Sequence, residues 1–524
     1  MQGAKLSDQD MEIDQQQISL NKLYGRDSQL KELIDVCIRT RSVCPPELAL
    51  VSGCSGSGKT SLVRTAADRL SKYGFFFLSG KFDQLQHAEP LSAIKTAFNQ
   101  YFFNISKSDD ERINTTRSSI LETAGDCVGV LTACFPGLEN IIGGHCTNPT
   151  QVGLEETQHR FEYAFRSMVK AIATPSNPVV LFLDDLHWAD AYSLHLLTVL
   201  ATDAYSLHLL TVLATDREIK NFLFIGCLRD DEVGISHPLA VTLRGIQNRH
   251  TVVTKITVAN IDREEINALI SETFHFPASI TISLTDIVYQ KTKGNALCIT
   301  QFLQSLHDGG LLQWSSVSNS WEIQIQSIEA EYVPDDAVRM FKSKILQLPV
   351  KTQLALKLMS CVGSSCSEYT LLLFLEEKIT INIEEEGMAK RTDKQGQRSE
   401  MLLFLNLAIH EGLVKKEGIN YNFIHDQVQH AAYLLIPKEE KHLWHLRVGY
   451  NIWLNVPEKD EDKVIFIAVD QMNHGMSLIE SEDKKIRLAK LNLRAGVKAM
   501  SLSTFSSCAS YFLGCHQLSQ KTKK

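Results

Sequence analysis

Zinc-type cysteine spacing, long apolar runs and an excess of basic charge are all missing from this 524-residue chain, and each absence removes a class of function. The twelve cysteines include no CxxC pair and no Cys/His cluster at zinc-ligand spacing, so reduced, mostly buried thiols in a cytoplasmic protein are expected. No apolar run approaches the roughly 18 residues that cross a bilayer. The N-terminus MQGAKLSDQDMEIDQQQ is polar and acidic, without the apolar centre of a signal peptide, and no membrane partner is expected. Lys and Arg number 53 against 61 Asp and Glu, a net charge of −8, which argues against a broad nucleic-acid-binding surface. Neither an HRD nor a DFG motif occurs, so the chain is not itself a protein kinase.

What is present is an ordinary globular composition, 44% hydrophobic and 22% charged, over a length that suggests two to four domains. Residues 1–20 read as a disordered tail. A helix is predicted next on Leu30, Leu33, Ile34 and Ile38, broken by Cys44-Pro45-Pro46. ELALVSG, FFFLSGKF, NPVVLFLDD and NFLFIGCLRD are short apolar runs that predict strands, with KITVANI at 255–261 a further candidate. Helical patterns lie between them, over most of 91–170. Strands alternating with helices predict a parallel sheet covered on both faces. LLQWSSVSNSWEIQI predicts a hairpin. Residues 335–377 and 401–452 read as helical around a charged loop, and 463–514 as amphipathic helix.

Gly53-Cys54-Ser55-Gly56-Ser57-Gly58-Lys59-Thr60 fits GxxxxGK[ST] in full, with a strand leading in and a helix leading out. Glycines let the backbone curl so that N–H groups converge on phosphate, and the helix offers its N-terminus to the same anion. Lys59 supplies a point charge for the β- and γ-phosphates, and the Thr60 hydroxyl a ligand for Mg²⁺. Ser61 joins these as a nucleotide-binding position. The expected ligands are therefore ATP or ADP with Mg²⁺. VVLFLDD supplies the carboxylates: Asp184, at the strand's carboxyl end where open α/β sheets bind ligands, to hold Mg²⁺, and Asp185 to polarise the attacking water. A capped strand end is the plain alternative. Arg229, after the next strand, is a candidate γ-phosphate sensor, with a surface arginine as its alternative.

Together LYGRDSQL, ALVSGCSGSGKTSLV, LSGKFDQ, VVLFLDDLHWAD, IGCLRDDEV and FIHDQVQHAAYLLIP resemble, in this order, the STAND-class ATPases of the AAA superfamily. More narrowly they resemble the ATPase module of large signalling serine/threonine and histidine kinases, over residues 22–514. The resemblance implies an α/β P-loop NTPase with a parallel sheet at 21–254. A helical lid follows at 255–310, a hairpin and winged helix at 311–440, and the start of an α-helical repeat region at 441–524. It implies that Gly25 and Arg26 lie beside the adenine and that Arg229 occupies the first sensor position. His425 falls on a winged-helix histidine that contacts the β-phosphate of ADP; a buried structural histidine is the alternative. Ala296 stands where the family prefers proline beside the base. Signalling proteins or kinase domains are the implied partners, and a nucleotide-dependent oligomer the implied assembly. The implied function is a slowly hydrolysing ATP-dependent switch. The rivals are a nucleotide-dependent scaffold without useful turnover and a DNA-bound initiator ATPase; the few basic residues around Lys415, Lys416 and Lys438 argue against the latter.

DAYSLHLLTVLAT at 190–202 recurs unchanged at 203–215, as expected of a tandem duplication of the coding sequence or an error in assembling it. Thirteen extra residues lengthen a continuous helix by about 20 Å and turn its apolar face by about 220°, so both copies cannot bury one stripe on the sheet. One copy is expected to fill the helix slot and the other to be extruded. Deleting 203–215 should then raise the melting temperature; a lower value would mean that both copies are integrated.

Overall fold

The computed structural model describes residues 22–41, 47–83, 91–143, 154–189, 220–248, 252–315, 320–330, 337–375, 403–501 and 505–521. The tail at 1–20, the charged loop between 376 and 402 and the duplicated segment at 190–215 lie outside the described residues.

The N-terminal layer is built on α1 (Asp27–Arg39), β1 (Glu47–Ser52), α2 (Lys59–Ser71), β2 (Phe76–Lys81), α3 (Ser92–Ser106), α4 (Asp110–Ala124), α5 (Val128–Cys134), α6 (Leu154–Ile172), β3 (Val179–Asp184), β4 (Phe222–Leu228), α7 (Pro238–Asn248) and β5 (Val252–Thr257). The five strands form one parallel sheet in the order β2-β3-β4-β1-β5. The alternation of a strand's side chains explains why these runs are apolar throughout. Along β3, Val179, Leu181 and Leu183 face the core under α3–α6, while Val180 and Phe182 face the core under α1 and α2. The first core is rich in rings, with Phe98, Phe135, Phe161 and Phe165 in mutual contact. The buried stripe of α1 is Leu30, Leu33, Val36 and Cys37. Ile38, one step further round, is 52% exposed and outside the stripe expected for it.

The chain leaves β1 for the β2 edge, whereas β4 leads to β5 on the opposite side of β1. That reversal opens a crevice at the carboxyl ends of β1 and β4, the place where such sheets bind ligands. β5 carries the sheet through Thr257, past position 254 and short of the strand read at 255–261.

Three helices follow, α8 (Arg263–Phe274), α9 (Ile282–Thr292) and α10 (Ala296–Asp308), and they share one apolar cluster with the hairpin β6 (Leu312–Ser315) and β7 (Ser320–Ile323). Leu312 and Trp321 place the hairpin in this lid core rather than in the domain that follows. That domain contains α11 (Ala337–Gln347), α12 (Val350–Val362), β8 (Ser365–Ser367), α13 (Glu368–Leu375), a helix at 403–410, β9 (Val414–Glu417), β10 (Asn420–Phe423) and α15 (Asp426–Leu434), counting the helix at 403–410 as α14. The all-helical reading of 335–377 and 401–452 is corrected here by a three-stranded antiparallel sheet, β8-β10-β9. Glu417 pairs with Asn420 across a two-residue turn whose first residue is Gly418, at φ +61°, a conformation that favours glycine and closes a tight hairpin. Tyr421 and Phe423 point inward between half-buried Asn420 and Asn422, a strand period inside a stretch read as helix.

The last elements are α16 (Lys441–Asn455), α17 (Glu461–His474), α18 (Glu482–Ser501) and α19 (Phe505–Lys521), so the helix expected over 463–514 is divided. Their core is continuous with that of the preceding domain, from Met359 and Tyr421 through Ala432 to Ile452, Ile465 and Met472. Among the described residues no helix is long and apolar enough to cross a membrane.

Candidate functional site

β1 ends at the glycine-rich loop, and α2 begins at its last lysine. Lys59 is only 7% exposed, and its Nζ donates to the carbonyls of Gly53 at 2.9 Å and Cys54 at 2.8 Å. Burial lowers its proton affinity and Arg229 adds to this, while Asp185 and Asp184 act in the opposite sense. The ammonium is thus held by two neutral carbonyls that an anion would replace at a gain. Ser57 Oγ is buried with no hydrogen-bond partner, a second polar group waiting inside the loop. Ser61 is exposed on the first turn of α2.

The lid clamps this loop. Leu297 N–H donates to the Gly56 carbonyl at 3.0 Å, and Asn295 Nδ2 to the Ser55 carbonyl at 2.8 Å. At Gly56, with φ +75°, a Cβ would lie 2.7 Å from Asn295 Oδ1, so glycine is required by both conformation and space. Asn295 also caps α10 through Cys298 N–H at 3.2 Å, immediately before Ala296. Cys54 is exposed, its thiol 3.2 Å from Asn260 Oδ1. Buried Arg26 donates to the Ser57 carbonyl at 3.2 Å and to the carbonyl of Ala259, so it fastens the loop to the segment leading into the lid. Gly25 lies against Glu265 of α8.

Asp184 and Asp185 close the crevice. Thr60 Oγ1 donates to Asp184 Oδ2 at 2.8 Å, joining the loop to β3. Burial raises the pKa of Asp184, as does the charge of Asp185; Lys81, Thr60 and the Asp185 N–H work against the rise. Burial would raise Asp185 too, yet Lys81 and Arg229 together hold it below the usual carboxylate range. Lys81 Nζ lies 3.0 Å from Asp185 Oδ2, and its own pKa is raised because the attraction of Asp185 and Asp184 outweighs burial. Thr60 and Asp184 form a hard oxygen set suited to Mg²⁺. No group of three or more acidic, histidine or cysteine side chains at metal-binding range occurs among the described residues.

Arg229 is engaged. It pairs with Asp426 of α15, with Glu232 at 2.7 Å and more distantly with Asp185 at 3.9 Å, and its guanidinium lies 4.7 Å from the Trp188 ring centre. The domain that holds α15 therefore reaches the site through two consecutive residues, Asp426 and Gln427. Besides Asp426, Gln427 Nε2 donates to Ser55 Oγ of the loop at 2.6 Å. Half-buried His425 accepts the Gln427 N–H on Nδ1 at 3.1 Å, which caps α15. Burial, followed by Lys81, Arg229 and Lys59, drives the pKa of His425 down to about 3, with Asp185 pulling the other way. Asp426 Oδ1 is 2.6 Å from the same Nδ1 and would favour a proton there; with three cations around the ring, the neutral form prevails. On the loop side, Asp83 accepts from the Ser364 N–H at the edge of the same domain.

The structure thus brings Lys59, Thr60, Asp184, Asp185, Arg229 and His425 together. Gly25 and Arg26 it places on the buttress behind the loop. Lys81, Asn295, Asp426 and Gln427 were not singled out from the sequence. Their signal was the motifs GKFDQ, KGNAL and FIHDQ, in which no spacing marks one residue over its neighbours.

Residues 22–212 match the AAA ATPase domain family. The hybrid signal transduction histidine kinase G of Dictyostelium discoideum is 28% identical over 577 residues, covering 94% of this chain and 16% of that protein. The peroxide stress-activated histidine kinase mak2 of Schizosaccharomyces pombe is 23% identical over 305 residues, covering 55% of this chain and 12% of its own length. The chain thus spans less than a fifth of these relatives. Among solved structures, a signal transduction ATPase with numerous domains and a tetratricopeptide repeat sensor from Pyrococcus horikoshii aligns with 98% of this chain and 66% of its own, at TM-score 0.42 and 12% identity. The ORC2 protein of Aeropyrum pernix aligns with 83% of this chain and 96% of its own, at TM-score 0.37 and 10% identity.

Two neutral histidines give the site a pH signature. His187, buried beside Trp188, is held at about 4, first by burial, as His425 is at about 3. Unfolding returns both to the ordinary value of 6.5, so the unfolded chain binds more protons below that pH. The contribution of these two histidines to stability should be constant above about pH 7 and fall as pH drops from 6.5 towards 4. Melting curves should show this fall, and His425→Gln should make it shallower; an unchanged slope in the variant would remove His425 from the account.

Proposed function

We propose that this chain, whose residues 22–212 match the AAA ATPase domain family, works as an ATP-binding, slowly hydrolysing signalling switch of the STAND type. The observation that carries the reading is the hydrogen bond from Thr60 to Asp184, beside a buried Lys59, with Gln427 bonded to Ser55 of the loop and Asp426 paired with Arg229. Lys59 leaves the Gly53 and Cys54 carbonyls to meet the β- and γ-phosphates. Thr60 and Asp184 are the residues that would hold Mg²⁺, which would supply neutralisation of phosphate charge when bound. Asp185 orients the attacking water and accepts its hydrogen bond once the pair with Lys81 opens.

The switch lies in the docking. In the arrangement described, Asp426 and Glu232 hold Arg229, so the guanidinium is committed to the winged helix rather than to a γ-phosphate. This is a closed, resting form suited to ADP. Undocking of the winged helix frees Arg229, Ser55 and the loop together, and nucleotide exchange shifts the population towards the open form only through such differential contacts. The similarity to histidine kinases supports a reading in which the output lies in a signalling partner or in a kinase domain of a longer polypeptide. The pairing of Asp185 with Lys81 and of Arg229 with Asp426 favours a second reading, a nucleotide-dependent scaffold without turnover; an ADP-release assay separates the two.

Lys59→Ala should weaken ATP by on the order of 2–5 kcal/mol, as for one partner removed from a buried charge pair, read by titration calorimetry. Unchanged affinity would overturn nucleotide binding at this loop. Asp185→Asn should retain ATP and lose turnover, whereas Asp184→Asn should also blunt the Mg²⁺ dependence. Turnover at the parent rate in Asp185→Asn would reassign the polarising carboxylate. His425→Ala should weaken ADP more than ATP by about 1–3 kcal/mol, the value of a hydrogen bond to a charged group, and expand the ADP-bound protein in small-angle scattering. Equal losses with no change in size would return His425 to a structural role.

A further inference from the structure

A cavity of about 600 Å³ opens where the end of α15, the first turn of α16 and the end of α17 meet, and none of the loop or carboxylate residues lines it. Its charge runs against that of the chain. Lys438, Lys441, His442, His445 and His474 line it, and no carboxylate does so among the described residues, in a protein with 61 acidic side chains against 53 Lys and Arg. Glu440, next in sequence, is turned to Trp444, whose Nε1 it accepts at 3.1 Å. Lys441 and His442 stand in the first turn of α16, at the end where the helix dipole is already positive. Burial lowers the proton affinity of Lys441, and Lys438 lowers it further. Such a cluster costs free energy that a bound anion would offset.

The inner wall is ordered by one hydrogen-bond chain. Gln471 Nε2 donates to the Cys361 carbonyl at 3.0 Å, so Gln471 Oε1 accepts from His445 Nδ1 at 2.7 Å. That leaves Nε2 of neutral, buried His445 to accept from the Tyr433 hydroxyl at 2.9 Å. His442 Nδ1 donates to the His474 carbonyl at 2.7 Å. The His442 and His445 imidazoles are therefore tied in place by the protein, whereas the Lys441 ammonium lies over an aromatic face and Lys438 is exposed at the rim. Lys441 Nζ sits 3.9 Å from the Tyr433 ring centre, and Leu434 and Pro437 continue that wall. The volume suits a small molecule with a few polar anchors.

We infer that this cavity binds a small organic anion, a carboxylate or phosphate monoester on an apolar or aromatic body, with its charge between Lys438 and Lys441 and its body against Tyr433 and Leu434. The occupant bridges the winged-helix domain and the helical region, and the inference stands apart from the nucleotide reading.

Phenyl phosphate is the probe, titrated by calorimetry into the full chain carrying Lys59→Ala, so that the glycine-rich loop does not compete for phosphate. Inorganic phosphate and phenol are the comparison arms. Saturable binding of phenyl phosphate is expected, weakened at least roughly tenfold by adding K438Q and K441Q, as for lost charge-assisted contacts to phosphate. In the ligand-free state that pair of substitutions should leave the melting temperature equal or higher, because it removes repulsion. In the chain with Lys59 intact, the pair should leave ATP affinity unchanged. Absence of saturable phenyl phosphate binding, or equal binding in the substituted chain, overturns the site. Phenol binding as tightly overturns the role of charge, and inorganic phosphate binding as tightly overturns the role of the apolar body.

Discussion

Two adjacent carboxylates, Asp184 and Asp185, are buried at the carboxyl end of a strand whose every residue is buried, and the arrangement of the surrounding groups follows from that constraint. Neither can stay ionised there without compensation, since an unpaired buried charge costs several kcal/mol or shifts its pKa until it is neutral. The two are treated differently. Asp185 receives Lys81 from the neighbouring strand and Arg229 from the next, and remains a carboxylate. Asp184 receives a hydroxyl and a backbone N–H, and its proton affinity is raised. That imbalance leaves Asp184 as the oxygen ligand with most to gain from a divalent cation.

The cations recruited to solve this problem carry it outward. Arg229 is bound by Asp426 as well, so the charge balance of the crevice includes a residue from a different domain. Gln427 adds a direct bond to the loop, and Asp83 holds the edge of the same domain through a backbone N–H. The lid grips the loop from another side through Asn295 and Leu297. A movement of any of these elements would therefore alter the electrostatics at the loop, and under the proposed switch a ligand at the loop would bias their docking in return.

α15 joins the two sites described. Its first residue contacts Arg229, and the chain just past its end begins the cationic cavity against α16 and α17. The core shared by α11–α15 and the terminal helices makes these parts one packed unit, so a displacement of α15 is transmitted by contact rather than absorbed by a linker.

Local chemistry was legible in the residues. The loop 53–60, the strand ending at Asp184, the alternation of strands with helices and the hairpin near 312–323 all follow from patterns a few residues long. Strand–loop–helix geometry and side-chain periodicity act over that range. The hairpin at 414–423 has its own short signal, the glycine turn and alternating Tyr421 and Phe423, but it is only two four-residue strands and was masked by the helical patterns on either side. The partners of the buried charges are a different matter. Gln427 meets Ser55 across 372 positions, and Thr60 meets Asp184 across 124. No spacing rule reaches so far. Which lysine neutralises Asp185, which aspartate holds Arg229 and which helix closes over the loop depend on how the domains dock. Docking is decided by the summed burial and charge balance of whole surfaces, so the chemistry of the loop can be read from residues 53–60, whereas what restrains it emerges only when the domains pack together.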